Sequence, residues 1–184
     1  MLLSAGRSQL LVTDIQERLL PAIHDGARAA DRARLLVRAA RRLGVPILVS
    51  EHYPQGLGPT VPEIREAAGN EAPVLAKISF SCLREEALAA ALAERRRKGR
   101  PQVAVAGFES HVCVLQTSLD LAERGYDVFV AADAVSSRTA ESRDVALARM
   151  RQAGIRVVTA EMAVFEWLGQ GDTPEFRDLL PLLR

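Results

Sequence analysis

QVAVAGFESHVCVLQTSLDLAERGYDVFVAADA, residues 102–134, decides the fold. It opens on an unbroken apolar run, QVAVAGF (102–108), of strand length and ending at a turn. HVCVLQTSLDLAERG (111–125) follows with helical spacing and closes on Gly125. YDVFVAADA (126–134), apolar from Val128 to Ala132, gives the next strand. Strands that are apolar throughout rather than alternating are buried on both faces. Joined through amphipathic helices, they form a parallel sheet covered on both sides.

The same alternation extends outward. Strands are expected at QLLVTDI (9–15), VPILVS (45–50), APVLAKIS (72–79) and IRVVTA (155–160). Helices are expected at ARAADRARLLVRAARRL (27–43), stopped by Gly44, at REEALAAALAERRRK (84–98), and at ESRDVALARMRQAG (141–154). The second of these carries acids first and bases last, the charge order a helix dipole favours. One or two short helices are expected around Trp167 and TPEFRDLLPLL. The reading is a three-layer α/β/α, doubly wound domain over residues 1–184, without repeats or linker. EHYPQGLGPTVPE (51–63), with three Pro and two Gly, is the one irregular segment. It begins where the second strand ends, on the edge where such sheets keep their sites, and is expected to wall a pocket.

Composition narrows the function classes. The 24 basic and 23 acidic residues leave a charge of +1, no electrostatic footprint for nucleic acid or an anionic membrane. Two Cys cannot build a disulfide framework, and three His provision a zinc cluster poorly. No apolar run approaches a membrane span, and MLLSAGRSQLLV lacks a signal-peptide layout, so a cytoplasmic domain is expected. All basic residues but Lys77 and Lys98 are Arg, and Lys77 lies inside an apolar run. The Arg-rich helix faces (Arg32, Arg34, Arg38, Arg41, Arg42 and Arg95–Arg97) read as solvated.

Side chains at the carboxyl ends of parallel strands meet on one edge. Asp14 closes the first strand, Lys77 sits late in the third, and Cys113 follows the fourth at the start of its helix. A thiol at a helix N-terminus, with an ammonium nearby, is expected to have a depressed pKa. Alternatively, Cys113 is a small buried hydrophobe, the reading adopted for Cys82. Asp14 and Lys77 are each costly to bury alone, and a pair answers both costs. Such a pair can be structural, or with a thiol beside it serve as base and electrostatic activator. His111 is expected to brace the turn, and Asp133 and Arg138 to pair with one another. His52 with Glu51 does not make a closed metal set, and no G-x-G-x-x-G follows the first strand.

Together these residues resemble the isochorismatase-like cysteine hydrolases, in particular their small single-domain branch. The likeness rests on LLVTDIQERLLPAI with Asp14, SEHYPQGLGPTVPE, VLAKISFSC with Lys77, and VAVAGFESHVCVLQTSLDLAERGYDVFVAADAVSSR with Cys113. It implies a six-stranded Rossmann-like sheet of order 3-2-1-4-5-6 and an Asp14–Lys77–Cys113 triad. In that triad Asp14 takes the thiol proton, Lys77 stabilises the thiolate and Cys113 attacks a carbonyl. It also implies a cis peptide at Phe108–Glu109, which would aim the N–H groups of Glu109 and Cys113 at a developing oxyanion. Pocket walls are expected from Gln16, Leu19, Tyr53, Leu57 and Phe80, suiting a small, flat or hydrophobic substrate.

Two departures narrow the implied function. The nicotinamidase branch binds a divalent metal through an Asp and several His near the second strand. Here Ser50-Glu51-His52-Tyr53-Pro54 is followed by no His until His111, so neither metal nor cofactor is expected. True isochorismatases lack the nucleophilic cysteine, whereas Cys113 is present. The resemblance thus implies a metal-free hydrolase of a small non-peptide amide or carbamoyl compound. A homo-oligomer is implied as well, for which the Phe165/Trp167 segment serves either an interface or the chain's own core. An idle member that binds a metabolite or protein partner, and a redox role for Cys113, are the competing readings.

Overall fold

The computed structural model describes residues 1–183. Six strands, β1 (Ser8–Thr13), β2 (Ile47–His52), β3 (Val74–Lys77), β4 (Gln102–Phe108), β5 (Asp127–Ser136) and β6 (Arg156–Val158), form one sheet. Its order is β3-β2-β1-β4-β5-β6 and every pairing is parallel, as expected. The helices are α1 (Gly26–Arg42), α2 (Pro54–Leu57), α3 (Pro62–Ala68), α4 (Glu86–Arg97), α5 (Leu115–Glu123), α6 (Ala140–Gln152), α7 (Ala160–Leu168) and α8 (Pro174–Leu179).

The period of two along each strand divides the core. Leu10 and Val12 of β1, with Ala104, Ala106 and Phe108 of β4, face α1, α3, α7 and α8. Leu11, Val103 and Val105 face α4, α5 and α6. Both faces of β1 and β4 are buried, which is why their central residues, Leu10–Val12 and Val103–Ala106, are apolar on both sides. Trp167 is in the first cluster and its indole N–H donates to Ser8 Oγ, so it packs on the chain's own core. Phe165 is 43% exposed.

Some boundaries and contacts differ from the sequence reading. β2 continues through Glu51 and His52, because β3 pairs with both through Ala76 and Lys77. The segment expected to be irregular contains α2 and starts α3, each with Pro in its first turn. Asp133 and Arg138 do not pair. Asp133 accepts from the Ala160 N–H at the start of α7, and Arg138 reaches Glu109. The Arg-rich faces are only partly solvated. Arg95 donates to the Ile47 carbonyl, and Arg42 pairs with Glu175 and Asp178. No helix among the described residues is long and apolar enough to cross a membrane.

Candidate active site

The sheet reverses its winding between β1 and β4, the crevice position for ligands in open α/β sheets. Gly107 lets the two strands close there: at φ +120, a Cβ on it would collide with the Thr13 carbonyl. The chain then leaves β1 through Asp14 in the left-handed region (φ 54), a conformation Asp tolerates better than most residues. Ser50, the register partner of Thr13 on β2, holds this turn at two points. Its carbonyl accepts the Asp14 N–H (3.1 Å) and its hydroxyl donates to Asp14 Oδ1 (2.7 Å).

Lys77 ends β3 and reaches past β2 to the same place. Its Nζ lies 2.7 Å from Asp14 Oδ2, and both side chains are wholly buried. It also lies 3.3 Å from Cys113 Sγ and 3.3 Å from the Ser79 carbonyl. Of its three N–H donors, two are hydrogen-bonded, to the sulfur and to the Ser79 carbonyl, while Asp14 Oδ2 is held as an ion pair without hydrogen-bond alignment. The Ser79 carbonyl is itself held in place. The Glu85 carboxylate accepts the N–H groups of Ile78 (3.0 Å) and Ser79 (2.7 Å), tying this loop to the start of α4.

Cys113 does not open a regular α-helix. The Phe108–Glu109 peptide is cis, and Ser110–Val114 forms a wider π-turn before α5. Glu109 anchors the turn: its carbonyl accepts from the N–H groups of Val112 and Val114 (both 3.1 Å), and its carboxylate pairs with Arg138 (2.8 Å). His111 braces it from outside, with Nδ1 2.9 Å from Ser137 Oγ.

The electrostatics correct the expectation of a depressed thiol pKa. Burial pushes the Cys113 thiol up, the adjacent Asp14 carboxylate pushes it further, and Lys77 only partly opposes them. Cys113 is 6% exposed, and a half-charge at a turn cannot replace lost hydration. For Lys77, burial favours the neutral amine, but Asp14 and Cys113 outweigh it and hold the ammonium above the usual lysine range. The site thus sets the Lys77 ammonium and the Asp14 carboxylate beside a thiol that holds its proton more tightly than usual. Cys82 lies behind the site against the Ser50 and Thr117 hydroxyls. Burial and Asp14 push its thiol up to about 11, consistent with an inert buried cysteine.

The expected pocket residues divide. Gln16 is buried, and its amide is used up: Nε2 donates to the carbonyls of His52 (3.0 Å) and Gly58 (2.7 Å), while Oε1 accepts the His52 N–H (2.8 Å). It braces the Pro/Gly loop instead of offering a free group to a ligand. Leu19 packs against the core, and Leu57 is half-buried in α2. Tyr53 and Phe80 are about half exposed, and with Ile78 they present apolar surface on the loops that follow β2 and β3. The Phe80 ring lies against His52, 5.4 Å between centroids.

A nicotinamidase-type metal does not fit these residues. Glu51 Oε1 is taken by the Thr60 N–H and hydroxyl, both at 2.7 Å. No three His, Cys, Asp or Glu side chains converge as ligands among the described residues. Sequence reasoning missed Ser50, Ser79, Glu85 and Thr117. Ser50 alone carried a usable signal, as a polar residue closing an apolar strand on the edge that Asp14 occupies.

Comparison with known proteins agrees with this architecture. Zebrafish (Danio rerio) isochorismatase domain-containing protein 1 is 38% identical over 182 residues, 99% of this chain but 62% of that protein. The chain therefore spans about three fifths of this relative's length. The Caenorhabditis elegans MAR1 ribonuclease superposes with a TM-score of 0.92 at 37% identity, covering 100% of this chain and 92% of that one. YcaC from Pseudomonas aeruginosa, solved with hexane-2,5-diol and covalent acrylamide, gives a TM-score of 0.91 at 27% identity over 98% of this chain and 91% of that one. The Escherichia coli ycaC product, an octameric hydrolase of unknown specificity, gives 0.91 at 26% identity over 99% and 90%. Residues 8–162 match the isochorismatase domain model, and the chain belongs to the isochorismatase-domain family.

Proposed function

We propose that this chain is a metal-independent cysteine hydrolase that cleaves a small non-peptide amide or carbamoyl compound through a covalent intermediate on Cys113. One observation carries the reading: a buried ammonium, Lys77 Nζ, stands 3.3 Å from Cys113 Sγ and 2.7 Å from Asp14 Oδ2. A structural ion pair needs no thiol within reach, whereas a nucleophile needs both a proton acceptor and a counter-charge.

The Cys113 proton passes to the Asp14 carboxylate as sulfur attacks the carbonyl carbon and a C–S bond forms. The thiolate character that develops lies against the Lys77 ammonium, and the N–H groups of Glu109 and Cys113 meet the oxyanion. Collapse breaks the C–N bond, and the leaving amine takes the proton from Asp14. Water then attacks the thioester carbon, giving one proton back to Asp14. The C–S bond breaks and the thiolate recovers its proton from Asp14, leaving the free acid. Tyr53 and Phe80 suit a small substrate with an apolar or flat part. The covalent acrylamide on the P. aeruginosa protein supports a nucleophile on a related scaffold. The octameric E. coli relative supports assembly into a homo-oligomer, which light scattering of the purified chain tests.

A second reading is RNA hydrolysis, favoured by the likeness to the C. elegans ribonuclease. The balanced charge of +1 weighs against it, since RNA binding draws on concentrated basic surface. Intact-mass spectrometry with a panel of small amides, carbamoyl compounds and a short oligoribonucleotide separates the readings. The proposal expects an acyl adduct on the wild type and none on Cys113→Ala. Oligoribonucleotide cleavage without any adduct would replace it. No adduct, no turnover and an alkylation-resistant Cys113 would leave a binding protein.

A further inference from the structure

We propose that Ser50 is a positioning residue of this site, acting through Asp14. The inference deepens the cysteine-hydrolase reading and rests on it. A carboxylate on a short side chain has a broad, two-fold torsion, so its useful oxygen must be selected by something else. At Asp14 the two oxygens have different partners. Oδ1 accepts the Ser50 hydroxyl at 2.7 Å, and Oδ2 meets the Lys77 ammonium at 2.7 Å. The Asp14 N–H is also tied to the Ser50 carbonyl at 3.1 Å. Backbone and hydroxyl of one β2 residue therefore set both where Asp14 leaves β1 and how its carboxylate turns.

The clamp has backing of its own. Ser50 is fully buried, and its hydroxyl lies against the Cys82 thiol. Cys82 is fixed in turn, its N–H donating to Thr117 Oγ1 at 3.0 Å. The Ser50 hydroxyl faces a carboxylate on one side and an uncharged thiol on the other, so the strong acceptor takes its proton. With Oδ1 occupied, Oδ2 is held on Lys77, the group that also touches the Cys113 sulfur. Without the hydroxyl the carboxylate is free to turn, and proton transfer from the thiol loses its alignment.

The test measures Cys113 alkylation by iodoacetamide in the wild type, Ser50→Ala, Ser50→Thr and Asp14→Asn, with Ser50→Ala repeated in the Asp14→Asn background. Peptide mapping identifies the alkylated thiol, and thermal unfolding reports folding. Ser50→Ala is expected to slow Cys113 roughly ten- to a hundredfold, the size expected for losing a hydrogen bond to a charged group. Ser50→Thr, which keeps the hydroxyl, should restore most of the rate. In Asp14→Asn, removing Ser50 should change little further, because its effect runs through the carboxylate. A structural role would give the same loss in both backgrounds and would overturn the proposal, as would an unchanged or faster Ser50→Ala. Where Ser50→Ala fails to fold, Ser50→Cys keeps the volume with a weaker donor and serves the same comparison. A wild-type Cys113 no faster than Cys82 overturns the hydrolase reading and this proposal together. A fast Cys113 in both wild type and Ser50→Ala overturns the proposal alone.

Discussion

The two ends of the same sheet bury polar groups equally deeply and to different ends. At the amino edge, Ser8, Gln9 and Gln102 are fully buried, and they are neutral. Gln102 accepts from the Ser4 N–H (2.8 Å) and donates to the Leu2 carbonyl (2.8 Å). The Gln9 amide donates to the Arg100 carbonyl (2.9 Å), and Ser8 accepts the Trp167 indole N–H (3.0 Å). These contacts stitch the N-terminal segment, the loop before β4 and α7 onto the sheet. At the carboxyl edge, the buried groups are ionisable and partner one another: Asp14 with Lys77, Lys77 with Cys113. Neutral amides bonded to backbone secure a structure at moderate cost. A buried ion pair brings little net stability, so its placement beside a thiol fits the proposed chemistry better than a structural role.

This contrast can be broken most directly at Cys113. Cys113→Ala should abolish covalent labelling, a loss of at least about a thousandfold in any turnover, while shifting unfolding only slightly. Intact mass and thermal unfolding read both on one sample. Lys77→Ala should behave differently, losing labelling and also about 3–5 kcal/mol of stability, because it strands a buried carboxylate. The neutral pair Asp14→Asn/Lys77→Met should recover to within about 2 kcal/mol of wild type in urea unfolding, yet stay unreactive. A double variant as unstable as Lys77→Ala would mean that the ion pair is structural after all.

Alkali sharpens the comparison next. Lys77, Cys82 and Cys113 all have raised folded-state pKa values, so the stability they confer is present at lower pH and lost as pH rises. For Cys82 the window runs from the ordinary 9.0 to about 11. Two units correspond to roughly 2–3 kcal/mol. Urea midpoints should fall steeply across that interval, and Cys82→Ala should flatten the fall. A pH-independent midpoint from 8.5 to 11 would count against the buried thiol. The smallest effect belongs to the amino edge. Gln102→Leu should cost about 1–3 kcal/mol by stranding its backbone partners, with Cys113 labelling unchanged.

Much of the molecule was legible before its structure. Continuous Val/Ile/Leu/Ala runs specify doubly covered strands, because only a buried parallel sheet needs apolar residues on both faces. The runs at 9–15 and 102–108 accordingly lie within about two residues of β1 and β4. Asp14 and Lys77 stood out for the same physical reason, as charged groups set in apolar runs. Glu51 and His52 were harder, since their strand character comes from pairing with β3 and not from composition. Gln16 is harder to read, because a polar side chain beside a loop looks alike in sequence whether it faces a ligand or, as its bonds to His52 and Gly58 show, braces the backbone.

The sequence by itself determined the alternation of strands and helices, the edge on which chemistry can gather, and which charged residues must find partners. Those are local properties of pattern and polarity. Tertiary structure alone decided that the Ser50 hydroxyl meets Asp14, that Glu85 ties down the loop beside Lys77, and that burial beside Asp14 pushes the Cys113 thiol up. The first and the last depend on groups 36 residues apart in the chain coming within 2.7 to 3.3 Å of one another, and on the water their meeting expels. Neither the pairing nor the expelled water is written in either of the two segments it joins.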